Sequence, residues 1–149
     1  MRRTDSMLGG ENFDRMTAAD FMETGVFYYA EDSRVDRLAT AMTLGNFGSI
    51  PIVTKEKRLV GIVSEFDLLN VMRKRKELRE VTAKEIMTGA PVSVHPETRA
   101  DKIMDLLQRK HLIRVPVVDQ EGKLVGIVAR RDILRGYLKS KESVPPWWF

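Results

Sequence analysis

Apolar residues in this chain recur at two spacings that alternate along its length. Leu38 and Met42, and later Ile103, Leu106 and Leu107, return at the period of a helix with one buried face. Ile50 to Thr54 with Leu59 to Val63, and Val115 to Asp119 with Leu124 to Val128, are β-rich runs split by polar turns, so each pair predicts a hairpin. Val26 to Tyr29 and Pro91 to Val94 predict shorter strands. Thr17-Ala18-Ala19-Asp20 and Thr82-Ala83-Lys84-Glu85 each place a hydroxyl three residues before a carboxylate, the pattern of a capped helix start. Ser33 and Thr98 stand where caps of the two periodic helices are expected. Final helices are predicted from about Glu65 and about Arg130.

These elements come twice in the same order. Displaced by 65 residues, the chain matches itself without a gap from Thr17 on Thr82 to Leu69 on Leu134. Leu59-Val60-Gly61-Ile62-Val63 is identical to Leu124-Val125-Gly126-Ile127-Val128, and Asp67 and Asp132 follow four residues later. A single repeat is near the lower limit for a self-sufficient core, so the two are expected to pack face to face as a pseudo-two-fold pair. The boundaries read as a polar leader over 1–14, a first repeat over 15–76, a second over 77–140 and an aromatic tail over 141–149.

Composition narrows the function classes. With 43% hydrophobic and 31% charged residues over 149 positions, the chain has the balance of a compact folded domain. The absence of cysteine excludes a disulfide framework, a thiolate metal site and a cysteine nucleophile. No apolar run approaches a membrane span or a secretory signal, so a cytoplasmic location and no membrane partner are expected. A net charge of +4 favours anionic ligands without demanding nucleic acid. No nucleophile elbow, phosphate loop or dinucleotide fingerprint occurs, and His95 and His111 belong to no ligand cluster. No catalytic residue, no metal and no cofactor are therefore expected.

The paired arrangement resembles two CBS domains forming a Bateman module. The resemblance rests on the Asp-Phe-Met and Glu-Ile-Met openings, on Ile50-Pro51-Ile52-Val53 and Val115-Pro116-Val117-Val118-Asp119, and on Gly-Ile-Val followed by an acidic residue opening the last helix. It covers about Ala18 to Lys139. It implies a mixed α/β (α+β) fold of two β-α-β-β-α repeats, two clefts between the halves that take an adenosine ligand (AMP, ADP, ATP or S-adenosylmethionine), and a homodimer. It also implies a regulatory module acting on an unidentified protein partner. A ligand-free dimerising module is the alternative, and a nucleic-acid-associated protein a weaker one.

Gly61-Ile62-Val63-Ser64-Glu65-Phe66-Asp67 carries chemistry suited to a nucleotide. Ser64 stands where unpaired N–H groups and the positive end of a helix attract an anion. The Asp67 carboxylate, one turn on, has the acceptors for two vicinal ribose hydroxyls. Ser64-x-x-Asp67 is equally a plain capping box, worth about 1 kcal/mol, and the two readings are compatible. In the second copy Ala129 replaces the hydroxyl while Asp132 remains. Arg130 or Arg131 supplies phosphate charge there, or both are solvated surface cations.

The resemblance also assigns Ile62, Val92, Ile113 and Arg114 to the Asp67 cleft. To a second, weaker cleft it assigns Phe27 or Tyr28, Gly48, Ile127, Arg131 and Asp132. Arg114 suits phosphate or an acidic neighbour, and the aromatics suit a stacked base or simple packing. The basic run Arg73-Lys74-Arg75-Lys76 with Arg79 reads as a solvated helix end interleaved with Glu77 and Glu80, so nucleic acid is not the expected partner. Trp147-Trp148-Phe149 after Pro145-Pro146 is expected to dock on its own module, on a second copy or on another protein.

Overall fold

The computed structural model describes residues 10–141. Residues 1–9 of the leader, and Trp147-Trp148-Phe149 with the docking expected of them, lie outside the described residues. The chain divides into two compact units. One comprises Phe27–Pro91 with Glu121–Leu124, and the other residues 10–26, Val92–Gln120 and 125–141.

In the first unit, β1 (Tyr29–Ala30), β2 (Ser49–Val53), β3 (Leu59–Ser64) and β4 (Thr88–Gly89) form one sheet in that order. β1 runs parallel to β2, with Tyr29 opposite Ile52, and the other pairings are antiparallel. The expected strand over Val26 to Tyr29 is reduced to these two paired residues. β4 was not expected, because a two-residue strand rich in Thr and Gly has no local alternation and forms only where β3 offers an edge. α3 (Val35–Gly45) and α4 (Glu65–Arg73) bury Val35, Leu38, Met42, Leu68 and Val71 in a core with Ile50, Ile52 and Val63.

The second unit contains α1 (Gly10–Arg15), α2 (Ala18–Phe21), α6 (Ala100–Arg109), β5 (Arg114–Val118), β6 (Leu124–Ala129) and α7 (Arg130–Ser140), with Leu124 assigned to the first unit. β5 and β6 pair as a two-stranded sheet. The strand expected over Pro91 to Val94 is a single parallel bridge from Val94 to Val117. Part of the supposedly plain leader is α1, whose Phe13 is buried and meets Phe21 and, edge-on, Tyr137.

Each repeat's opening turn belongs to the unit built on the other repeat's hairpin. α2 lies in the unit of β5 and β6, and α5 (Ala83–Ile86) in the unit of β2 and β3. Both carry the expected caps, Thr17 N–H donating to Asp20 at 2.9 Å and Thr82 N–H to Glu85 at 2.9 Å. The methionine closing each turn sits over the glycine of a Gly-Ile-Val strand. A Cβ on Gly61 would lie 2.3 Å from Met87 Sδ, and one on Gly126 would lie 2.6 Å from Met22 Sδ. Two motifs far apart in sequence are thus one packing contact, repeated.

Ser33 and Thr98 are not the helix caps they were expected to be. α3 and α6 are preceded by Arg34 and Arg99, and the two hydroxyls face backwards, accepting from Ala30 N–H at 3.2 Å and His95 N–H at 3.0 Å. A hydroxyl one residue too early closes the preceding turn instead.

Candidate functional site

Two equivalent strand-to-helix junctions hold the candidate residues, one in each unit. At the first, β3 ends on Ser64 and α4 begins at Glu65, whose N–H donates to the Gly48 carbonyl at 3.0 Å. Ser49 lies opposite Ser64 in the ladder, so Gly48 borders the helix start. A Cβ on Gly48 would lie 3.0 Å from Oε1 of the exposed Glu65 side chain. Asp67 Oδ2 accepts from Ser64 N–H at 2.8 Å and from the Ser64 hydroxyl at 3.1 Å. Asp67 N–H in turn donates to Ser64 Oγ at 3.3 Å.

The capping reading of Ser64-x-x-Asp67 is therefore realised. It uses only one carboxylate oxygen: Asp67 is half-buried, and its Oδ1 has no hydrogen-bond partner among the described residues. Ile62 is half-buried on β3, opposite Pro51 on one side and Thr88 on the other. Phe27 is 56% exposed and stacks on Phe47 at 5.4 Å. Phe47 was missed from sequence, although its place beside Gly48 was the available signal. Tyr28 lies beneath the Lys57 ammonium, 5.1 Å from its ring centroid.

The second junction is chemically different. β6 ends on Ala129, whose N–H donates to Asp132 Oδ2 at 2.8 Å, but no hydroxyl is present. Asp132 is 9% exposed, and its Oδ1 pairs with Arg135 at 3.3 Å. Both oxygens are thus engaged, which sets this carboxylate apart from Asp67. Arg130 donates from Nε to the Leu112 carbonyl at 2.7 Å while its N–H donates to Ile113 at 3.0 Å. Arg130 is therefore a bracket for the β5 entry, and Arg131, exposed on the first turn, is the cation left facing solvent.

Arg114 opens β5 in the same unit and is half-buried. Burial pushes its guanidinium pKa below the usual arginine value, against the opposing pull of the Glu23 and Asp132 charges. Of the two roles left open for it from sequence, phosphate or an acidic neighbour, the structure shows the acidic neighbourhood of Glu23 and Asp132. Ile113 is exposed, Val92 packs against the core of this unit, and Ile127 is buried with its backbone bonded both ways to Glu23. The described residues hold no cluster of three potential metal ligands, and His95 Nδ1 lies 3.0 Å from the Val118 carbonyl. No described helix is long and apolar enough to cross a membrane.

Two matched hairpins, each followed by an acidic helix start, define a known module. The CBS domain profile matches residues 18–74 and again 83–139. The chain belongs to the CBS domain family. It is 29% identical over 136 residues to the CBS domain-containing protein CBSX1 of Arabidopsis thaliana chloroplasts, covering 73% of this chain and 58% of that one. It is 27% identical over 110 residues to inosine-5'-monophosphate dehydrogenase of Methanocaldococcus jannaschii, covering 74% of this chain and 21% of the enzyme. The chain spans from about a fifth to about half the length of the first curated relatives it matches.

Among solved structures, CBSX2 in complex with AMP superposes with a TM-score of 0.76 at 27% identity, covering 85% of this chain and 98% of that chain. The CBS domain pair of MJ0100 in complex with 5'-methylthioadenosine and S-adenosyl-L-methionine gives 0.71 at 26% identity, covering 80% and 98%. The fold is that of a CBS pair.

Proposed function

We propose that this chain is a regulatory module that binds an adenosine-containing ligand at the Ser64–Asp67 junction. The observation that carries the reading is the unengaged Oδ1 of Asp67, one turn from the start of a nine-residue helix. A ribose hydroxyl donates to that oxygen while Oδ2 keeps its bond from Ser64 N–H, and a phosphate at the positive end of α4 accepts from the Ser64 hydroxyl once it turns away from Oδ2. The ligands named for CBSX2 and MJ0100 are all adenosine derivatives, which supports the same class here. In this reading occupancy is transmitted to a cytoplasmic protein partner, and the chain itself performs no chemistry.

Calorimetric titration of AMP, ADP, ATP and S-adenosylmethionine tests the assignment. Asp67→Ala removes the tightest site and leaves the circular dichroism unchanged. Equal binding by the variant rejects the site.

A second observation favours association between copies. Phe66 (82% exposed), Leu69 and Met72 line the outer side of α4, and Leu134, Tyr137 and Leu138 that of α7. We infer that these faces close a homodimer, two-fold closure being the commonest solution for a self-complementary surface. A light-scattering mass of 17.1 kDa at micromolar concentration overturns it.

A further inference from the structure

The basic run after α4 lines a depression. Arg75, Lys76 and Arg79, all exposed, border with Asp36, Glu77, Leu78 and Met72 an open depression of about 500 Å3 in the first unit, a volume in the small-molecule range. Neither Ser64 nor Asp67 lines it. None of the three cations forms a close ion pair or a side-chain hydrogen bond among the described residues, and Lys76 acts at longer range on Glu85. Across the depression, Asp36 Oδ1 is buried and accepts no hydrogen bond. A desolvated carboxylate oxygen without a donor is unfavourable by itself and indicates a missing polar partner.

The chain adopts an adverse backbone to present these cations. α4 ends in a Schellman turn, Arg75 N–H donating to the Met72 carbonyl at 3.0 Å and Lys76 N–H to that of Val71 at 3.3 Å. Arg75 occupies the left-handed position at φ 63°, where glycine is the ordinary choice. At the corresponding place in the second repeat, Ser140 is the last residue of an uninterrupted helix, so the basic turn is peculiar to the first. The helix dipole favours Arg75, one residue past the C-cap, and does not reach Arg79, four residues further on.

We propose that this depression is a second ligand site, independent of the adenosine reading, for a small phosphorylated molecule that carries hydroxyl groups. The phosphate lies among Arg75, Lys76 and Arg79, and the Asp36 side chain turns Oδ1 into the depression to accept from a hydroxyl of the same molecule. Glu77 at the rim disfavours a bare polyanion, and the depression's size favours a monomeric sugar phosphate over a nucleic-acid strand.

Ribose 5-phosphate titrated into the full chain is the test, read by calorimetry and by the carboxyl resonance of Asp36. Binding is saturable, tighter than for ribose or inorganic phosphate alone, and unchanged in Asp67→Ala. Arg75→Gly with Arg79→Gln raises the dissociation constant by about tenfold or more, while the dichroism spectrum stays that of the parent. Three outcomes overturn the proposal: no saturable binding, binding lost in Asp67→Ala but kept in the arginine variant, or stronger binding of a single-stranded oligonucleotide through the same arginines.

Discussion

Ala129→Ser separates what a helix cap contributes from what a ligand contributes. The backbone at Ala129 already has the shape of a cap, with φ −103° and ψ 162° against −111° and 170° at Ser64. The carboxylate half of the box is also in place, since Asp132 accepts from Ala129 N–H at the same 2.8 Å found between Asp67 and Ser64. Missing are the two hydroxyl bonds that Ser64 makes, one to Asp67 N–H and one to its Oδ2. Because no reorganisation is needed to receive them, the substitution raises stability by about 0.5–1 kcal/mol. For a chain of this length that is about 1–4 °C in Tm. Urea denaturation at constant m-value measures it, and no gain, or a loss, refutes the transferred geometry. Repeating the series with AMP adds the ligand contribution, which grows as RT ln(1 + [L]/Kd) and reaches about 2.7 kcal/mol at a hundredfold excess over Kd. If the added hydroxyl meets phosphate, the gap between variant and parent widens with AMP. A constant gap confines the effect to the cap.

Three further outcomes follow from the packing. Arg75→Gly relieves a left-handed backbone worth about 1–2 kcal/mol at the cost of about 0.5–1 kcal/mol of chain entropy, so the variant unfolds at higher urea than the parent; an unchanged or lower midpoint contradicts this. Gly126→Ala costs about 1–3 kcal/mol and more than Gly61→Ala, because its Cβ meets the Glu23 backbone carbonyl at 3.0 Å as well as Met22, whereas the three atoms nearest a Cβ on Gly61 all belong to the Met87 side chain; the reverse order in denaturation refutes the argument. Glu85 is held below the usual carboxylate pKa by the Thr82 N–H, then by the Thr82 hydroxyl, with Lys76 and Arg34 assisting. A carboxyl depressed in the folded state stabilises the fold above its unfolded pKa, and that contribution is lost as pH falls through the folded value. Thr82→Ala therefore moves the Glu85 carboxyl resonance midpoint upward, and an unmoved midpoint removes the hydroxyl from the account.

What the sequence made legible was local. Both hairpins, both threonine caps and the α4 and α7 starts are written in runs of adjacent residues, and the structure has all of them. The repeat displacement holds in the backbone as well. Lys57 and Gly122 both take positive φ in their hairpin turns, at 70° and 81°, and Asn46 and His111 do so after α3 and α6, at 57° and 53°. The misreadings concern features whose cause lies elsewhere in the chain. β1, β4 and the Val94 bridge are defined by a partner strand, and Phe13 looks like a lone aromatic in a polar leader until Phe21 and Tyr137 surround it. At the candidate site, Ser64 and Asp67 were readable as residue types. Which oxygen stays unengaged, and that Arg135 and Arg114 accompany Asp132, depended on the tertiary arrangement.

The two junctions share a frame and differ in the acceptors they leave open, and the difference has a calculable size. To receive a hydroxyl, Asp132 must release Arg135, which is 46% exposed and 3.3 Å away. Asp132 itself is nine-tenths buried, so taking Arg135 away leaves a largely desolvated carboxylate for the incoming hydroxyl alone to satisfy, and the release carries a cost. The absent hydroxyl at Ala129 removes one phosphate donor, worth about 1 kcal/mol by the net value of a hydrogen bond. Both effects act in the same direction and place the second junction behind the first, by at least about 1 kcal/mol or about fivefold in affinity. Arg114 works in the opposite direction, because the Glu23 and Asp132 charges do not fully offset the desolvation of its guanidinium, and a phosphate that reaches it adds to their pull. The divergence between repeats therefore grades the two junctions without closing the second. Under the proposed function Asp67 fills first and Asp132 follows at higher ligand concentration, and two equivalent sites in calorimetry refute this ordering.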